Sequence, residues 1–159
     1  VKSAVGRAVQ LNQGARSTQK KFVWFLHSDC DVDDVAFAAL DRSLDERPDH
    51  LHYFDLKFRG DGPKWMRLNE WGVKLRTRIF GIPFGDQGLC LKRSHFFRVG
   101  EFPEGVDRGE DHYFIWRARQ NRVRICSTGA SITTSSRKYG KEGWWATTRP
   151  LTSGCTVSS

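Results

Sequence analysis

Apolar residues along this chain change their spacing several times, and each change marks an element. Ala8, Leu11 and Ala15 recur at helical spacing between Gly6 and about Gln19. "KKFVWFL" (Lys20–Leu26) is almost continuously apolar, the pattern of an inner, parallel strand covered on both faces. From Asp33 or Asp34, "VAFAALDRSL" reads as a helix with carboxylates at its start and Pro48 and Asp49 at its stop. "HYFDLKF" alternates, with His52, Phe54, Leu56 and Phe58 on one face and Tyr53, Asp55 and Lys57 on the other.

The second half continues the alternation of element types. After a "GDGP" turn, Lys64 to Ile79 predicts a helix with Trp65, Leu68, Trp71 and Leu75 along one side. "GIPFGDQG" is a glycine-rich loop, "GLCLKR" a short strand, and Ser94 a cap for the short helix "HFFRV". A loop, "EFPEGVDRGED", leads to a helix opened by Asp111 or a neighbour, running through Arg119 and ending near Asn121. "RVRICS" predicts a strand with Val123 and Ile125 inward, "ASITTSS" a weaker strand, and "KEGWWATTR" a last helix. The expected architecture is α/β, a mixed sheet flanked by helices, in one domain over residues 1–150 with a polar tail over 151–159.

Composition narrows the partners. Lys plus Arg number 26 and Asp plus Glu 18, so the formal charge is +8. That favours anions: phosphates, nucleic acid or an acidic membrane surface. No apolar stretch approaches the length of a membrane span, and "VKSAVGRAVQ" lacks the apolar core of a signal peptide. The four cysteines stand far apart with no CxxC pair, which suits idle thiols in a reducing cytoplasm. The expected location is cytoplasmic, with peripheral membrane attachment compatible with the charge.

Four segments could carry chemistry. In "HSDCDVDD", Asp29, Asp31 and Asp33 alternate as in a calcium loop, but Asp34 and Leu40 stand where that loop needs glycine and an acid. Asp31, Asp33 and Asp34 also serve as caps for the helix that follows. That role leaves out His27 and Asp29, which come off the C-terminal end of a strand, where open α/β sheets gather ligands. In "RGEDHYF", Glu110 and Asp111 stand at a helix start, either as dipole partners or as a proton acceptor. "FGDQG" is an ordinary turn or an acid and an amide held by glycines. "SSRKYG" is a solvated loop or a phosphate clasp of Arg137 and Lys138.

Taken in order, "GRAVQLNQGA", "FLHSD", "IPFGDQGLCLKR", "VGEFPEGVDRGED" and "SSRKYGKEGW" resemble motifs of family 2 glycosyltransferases of the GT-A fold. The subgroup most similar is a bacterial one linked to arsenosugar biosynthesis. The resemblance runs from Gly6 to about Trp145. It implies that Asp29, with His27 and Asp31 beside it, holds Mn2+ or Mg2+ on a donor diphosphate. It also implies that Asp111 of the Glu110–Asp111 pair is the general base for an inverting transfer to an acceptor hydroxyl. Asp86 and Gln87 would line the acceptor side. Arg7, Gln10 and Asn12 would flank the nucleotide, and Arg137 and Lys138 would close over the phosphates.

The family also carries two βα units before the "GRAVQ" position, which this sequence does not contain, so the expectation is a partial GT-A fold lacking its first strands. Phe22–Leu26 then becomes a sheet edge, and a homodimer covering it is expected. The partners implied are a nucleotide-sugar and an acceptor. Two other functions remain open on the residues: a non-catalytic binding module derived from a glycosyltransferase, and, ranked last for want of any recognised motif, a basic nucleic-acid-binding protein.

Overall fold

The computed structural model describes residues 6–58, 83, 85–106 and 109–134. The helices expected at Lys64–Ile79 and in "KEGWWATTR", together with Arg137, Lys138 and the polar tail, lie outside them. The elements are α1 (Arg7–Arg16), β1 (Phe22–Phe25), β2 (Cys30–Asp31), α2 (Asp34–Glu46), β3 (Leu51–Phe58), a 3-10 turn (Gly85–Gln87), β4 (Leu89–Lys92), α3 (Arg93–Val99), α4 (Glu110–Gln120) and β5 (Ile125–Thr134). The strands form one mixed sheet in the order β1-β4-β3-β5-β2. Only the β3–β5 pair among these is parallel.

Helices cover both faces of the sheet. One apolar cluster joins α1, α3 and α4 to Val23, Phe25, Leu51 and Tyr53. The other joins Ala36 and Leu40 of α2 to Phe54, Leu56 and Ile132. Helix α2 buries Ala36, Ala39, Leu40 and Ser43, a stripe at helical spacing, and Asp33 caps it by accepting the Ala36 N–H at 2.7 Å. The capping role of Asp33 and the opposed faces of β3 follow the sequence pattern. None of the helices among the described residues is long and apolar enough to cross a membrane.

Three expectations need correction. Strand β1 is not parallel to its neighbour: it runs antiparallel to β4, and among the described residues it forms the edge of the sheet, the position the resemblance implies. Its continuous apolarity does reflect burial on two faces, as expected. Val23 and Phe25 join one cluster, while Phe22 and Trp24 pack against the other. The two strands expected over residues 122–136 are one strand, β5. Between its pairs with Tyr53 and Asp55, β5 advances from Ser127 to Ser131, four residues against two on β3, and Gly129 takes φ +78° in the bulge. Finally, α3 starts at Arg93 after Lys92, so Ser94 lies in the first turn and not at the cap. Strand β2, two residues paired with Thr133 and Thr134, is too short to leave a periodic signal.

Helix α1 is fastened by a polar residue. Asn12 is buried, donates to Phe102 C=O at 2.9 Å and to Glu104 Oε1 at 3.0 Å, and accepts the Phe102 N–H at 3.0 Å. The amide thus pairs with Phe102 as a neighbouring strand would, and it satisfies backbone groups that burial would otherwise leave unpaired. The Phe102 ring then packs on Phe25 and Phe114, with centroids 4.9 and 4.8 Å apart. This ties α1, β1 and α4 into one unit.

On the other face His52, fully buried, links β3 to α2. Its Nε2–H donates to Arg47 C=O at 3.0 Å, leaving Nδ1 to accept from Ser43 Oγ–H at 2.8 Å. Cys126 Sγ lies 3.3 Å from the same nitrogen. Burial, with smaller contributions from the charges of His50 and Arg47, holds His52 below its ordinary 6.5. The folded protein therefore refuses a proton that the unfolded chain takes up. This contribution is complete above pH 6.5 and shrinks as pH falls from there toward the folded value. Urea titrations from pH 7.5 to 5 should show stability falling with pH, with a shallower fall in His52→Gln; equal slopes would remove His52 as the cause.

Candidate functional site

Beyond the C-terminal end of β1 the chain turns sharply through His27–Cys30, closed by the Cys30 N–H on His27 C=O at 3.1 Å. Three other segments meet this turn. Arg7, the first residue of α1, places its guanidinium against His27 Nε2. A guanidinium can only donate, so that nitrogen accepts and the ring proton resides on Nδ1. The 3-10 turn accepts the Cys30 thiol on Asp86 C=O at 3.7 Å. The first turn of α4 supplies Glu110 and Asp111, both buried.

These segments are cross-linked in two places. Arg7 Nη1 lies 2.8 Å from Glu110 Oε1, so a single guanidinium touches both the histidine turn and the carboxylate pair. The two partners differ in exposure: the Glu110 side chain is 6% exposed and that of Arg7 43%. No hydrogen bond reaches that Glu110 oxygen among the described residues, so charge carries the contact. The second link is Asp111, whose Oδ2 accepts the Gly85 N–H at 2.6 Å and whose Oδ1 accepts the His112 N–H at 2.9 Å. A carboxylate oxygen offers two lone pairs, and the described residues engage one on each. The α4 N-terminus favours both acids by its dipole, and it has no side-chain cap of its own, Gly109 standing at that position with φ +85°.

The remaining sequence candidates fall in different places. Asp29 is half-buried in the turn, and Asp31 is exposed in β2, opposite Thr133. Asp86 is half-buried, while Gln87 is turned inward and donates to Phe54 C=O at 2.9 Å. Gln10 is exposed on α1, whereas Asn12 is committed to the loop at Phe102. Sequence reasoning placed Arg7 beside a nucleotide and gave it no carboxylate partner. It also read Gly85 only as part of a glycine-rich loop, not as the backbone donor to Asp111. The sole hint was a glycine directly before an acid, a pattern shared with countless turns.

A divalent cation would find limited support from the protein alone. No group of three or more His, Cys, Asp or Glu side chains among the described residues could hold one. The His27 Nε2 electron pair faces Arg7.

Gly85 permits this assembly by having no side chain. A Cβ there would lie 2.5 Å from Arg7 Nη2, 2.9 Å from Asp111 Oδ2 and 3.2 Å from Asp111 Cβ. Gly85→Ala should therefore push both charged groups out of place and cost about 1–3 kcal/mol in urea unfolding. Gly14→Ala, on α1 with nothing within 4 Å, should instead stabilise by about 0.5–1 kcal/mol. Wild-type stability in Gly85→Ala would contradict the packing described. In comparison with known proteins, the chain matches no family model and no curated sequence.

Proposed function

We propose that this chain is a glycosyltransferase-type domain that moves a sugar from a nucleoside-diphosphate donor to an acceptor hydroxyl with inversion at the anomeric carbon. The observation that carries the reading is the meeting of Arg7, His27, Gly85 and the Glu110–Asp111 pair at one end of β1, although they are spread over more than a hundred residues of chain. The resemblance to family 2 glycosyltransferases requires those motifs to meet, and nothing in the helix and strand pattern does.

In this reading Asp111 is the general base. Its two backbone hydrogen bonds fix the carboxylate without using all its lone pairs. It takes the proton of the acceptor hydroxyl as that oxygen bonds to the anomeric carbon, and the bond to the diphosphate oxygen breaks with its electron pair leaving on the phosphate. Glu110, paired with Arg7, holds the guanidinium beside the His27 turn. Arg7 is partly exposed, and the N–H groups it does not give to Glu110 and His27 would donate to the departing phosphate. Mn2+ or Mg2+ at Asp29, when bound, would supply further positive charge for the leaving group.

A thermal-shift and hydrolysis panel of UDP-glucose, UDP-N-acetylglucosamine and GDP-mannose with Mn2+ tests this. At least one donor should stabilise the protein and be slowly hydrolysed. Asp111→Asn should lower turnover roughly a hundredfold or more while still binding that donor. Binding without turnover in the wild type would leave a binding module. Silence across the panel, or full activity in Asp111→Asn, would overturn the assignment.

A further inference from the structure

At the far end of the sheet, beside the N-terminal ends of β3 and β5, lies a cleft of about 540 Å³ lined by His50, Arg119, Arg122, Val123, Arg124, Ile125 and Cys126. We propose that this cleft is a second anion site, separate from the Arg7 site, and that its ligand carries a phosphate group.

The charge is one-sided. Among the described residues three arginines line the cleft and no carboxylate does. Two acids near the cleft are each paired with a base: Asp49, beside His50, has Oδ1 2.6 Å from Lys92 Nζ, and Glu46 lies 3.5 Å from the Arg47 guanidinium. The Cys126 thiol is pushed up by burial, so the wall adds no negative charge at neutral pH. His50 is held below its ordinary range by burial first, then by the positive charges of Arg124 and Arg47, against an opposing pull from Asp49. Its Nδ1 is buried with no hydrogen-bond partner among the described residues.

Helix stabilisation explains only part of the cluster. Basic side chains in a last turn offset the helix dipole, which accounts for Arg119, beside Arg117 in the last turn of α4. Arg122 and Arg124 lie past the end of α4. The partial negative charge of that helix end, about half an elementary charge, is outweighed by the guanidinium groups of Arg122 and Arg124. Arg122 also occupies a left-handed position, φ +57°, where glycine would be less costly. The loop bearing these arginines is preorganised: the Val123 N–H donates to Ala118 C=O at 2.9 Å, and the Leu51 N–H to Arg124 C=O at 2.8 Å. The size suits a small phosphorylated molecule or a lipid headgroup.

Calorimetry with sodium pyrophosphate, and flotation with phosphatidic acid against phosphatidylcholine vesicles, read the site. The wild type should bind pyrophosphate, and Arg122→Gly combined with Arg124→Ala should bind at least tenfold more weakly. The same variant should melt no lower than wild type, because glycine relieves the left-handed backbone; a purely structural role for Arg122 predicts the opposite. Arg7→Ala should leave this binding intact, which separates the site from the proposed transferase centre. Recruitment to phosphatidic acid vesicles that the double variant loses assigns a lipid source, and pyrophosphate binding without recruitment assigns a soluble one. Equal binding by wild type and double variant, or no binding to either probe, overturns the proposal.

Discussion

A buried carboxylate needs a countercharge, and in this protein the countercharge comes from the other end of the chain. Glu110 sits in the first turn of α4 with its side chain almost wholly removed from water. Leaving such a charge unpaired costs several kcal/mol. Arg7 meets it at 2.8 Å and touches His27 with the same guanidinium. The start of α1, the exit of β1 and the start of α4 are thereby held to one geometry. Asp111, next in sequence to Glu110, is positioned by that same helix turn and pinned to Gly85. Remove the Arg7 contact and the carboxylate pair loses its tie to the histidine turn.

The apolar framework makes this arrangement rigid. Phe25, Phe96, Phe102 and Phe114 pack with ring centroids 4.8–5.5 Å apart; Phe25 precedes the His27 turn in the chain and Phe114 follows the two acids. Asn12 fastens α1 to Phe102, so the helix that delivers Arg7 cannot slide without breaking three hydrogen bonds. Precise placement of charged groups depends on such support. The sheet separates this end from the arginine-lined cleft at the N-terminal ends of β3 and β5, so a carboxylate-rich region and a cationic one share one framework.

How much of this was legible in the sequence depended on how local the cause was. The Asp33 cap, the stripe of α2 and the opposed faces of β3 are set by neighbours within a few residues, and periodicity reveals them. "FVWFL" was legible as buried, but whether a strand is parallel is decided by its partner, and β4 lies more than sixty residues away. The bulge at Gly129 breaks the alternation of β5, so one strand reads as two. Asn12 is a polar residue on a helix until Phe102, ninety residues on, supplies its partners. The site residues were named through motif resemblance; the contacts of Arg7 with Glu110 and of Gly85 with Asp111 are tertiary and leave no trace in spacing.

The most direct measurement is a double-mutant cycle on Arg7 and Glu110, read by urea unfolding of wild type, Arg7→Ala, Glu110→Gln and the double variant. Arg7→Ala should cost more than Glu110→Gln, because it strands a buried charge while the second leaves a guanidinium with access to water. The coupling should be about 1–2 kcal/mol, between that of an exposed ion pair and a buried one. Additive losses, with Glu110→Gln as damaging as Arg7→Ala, would contradict the account.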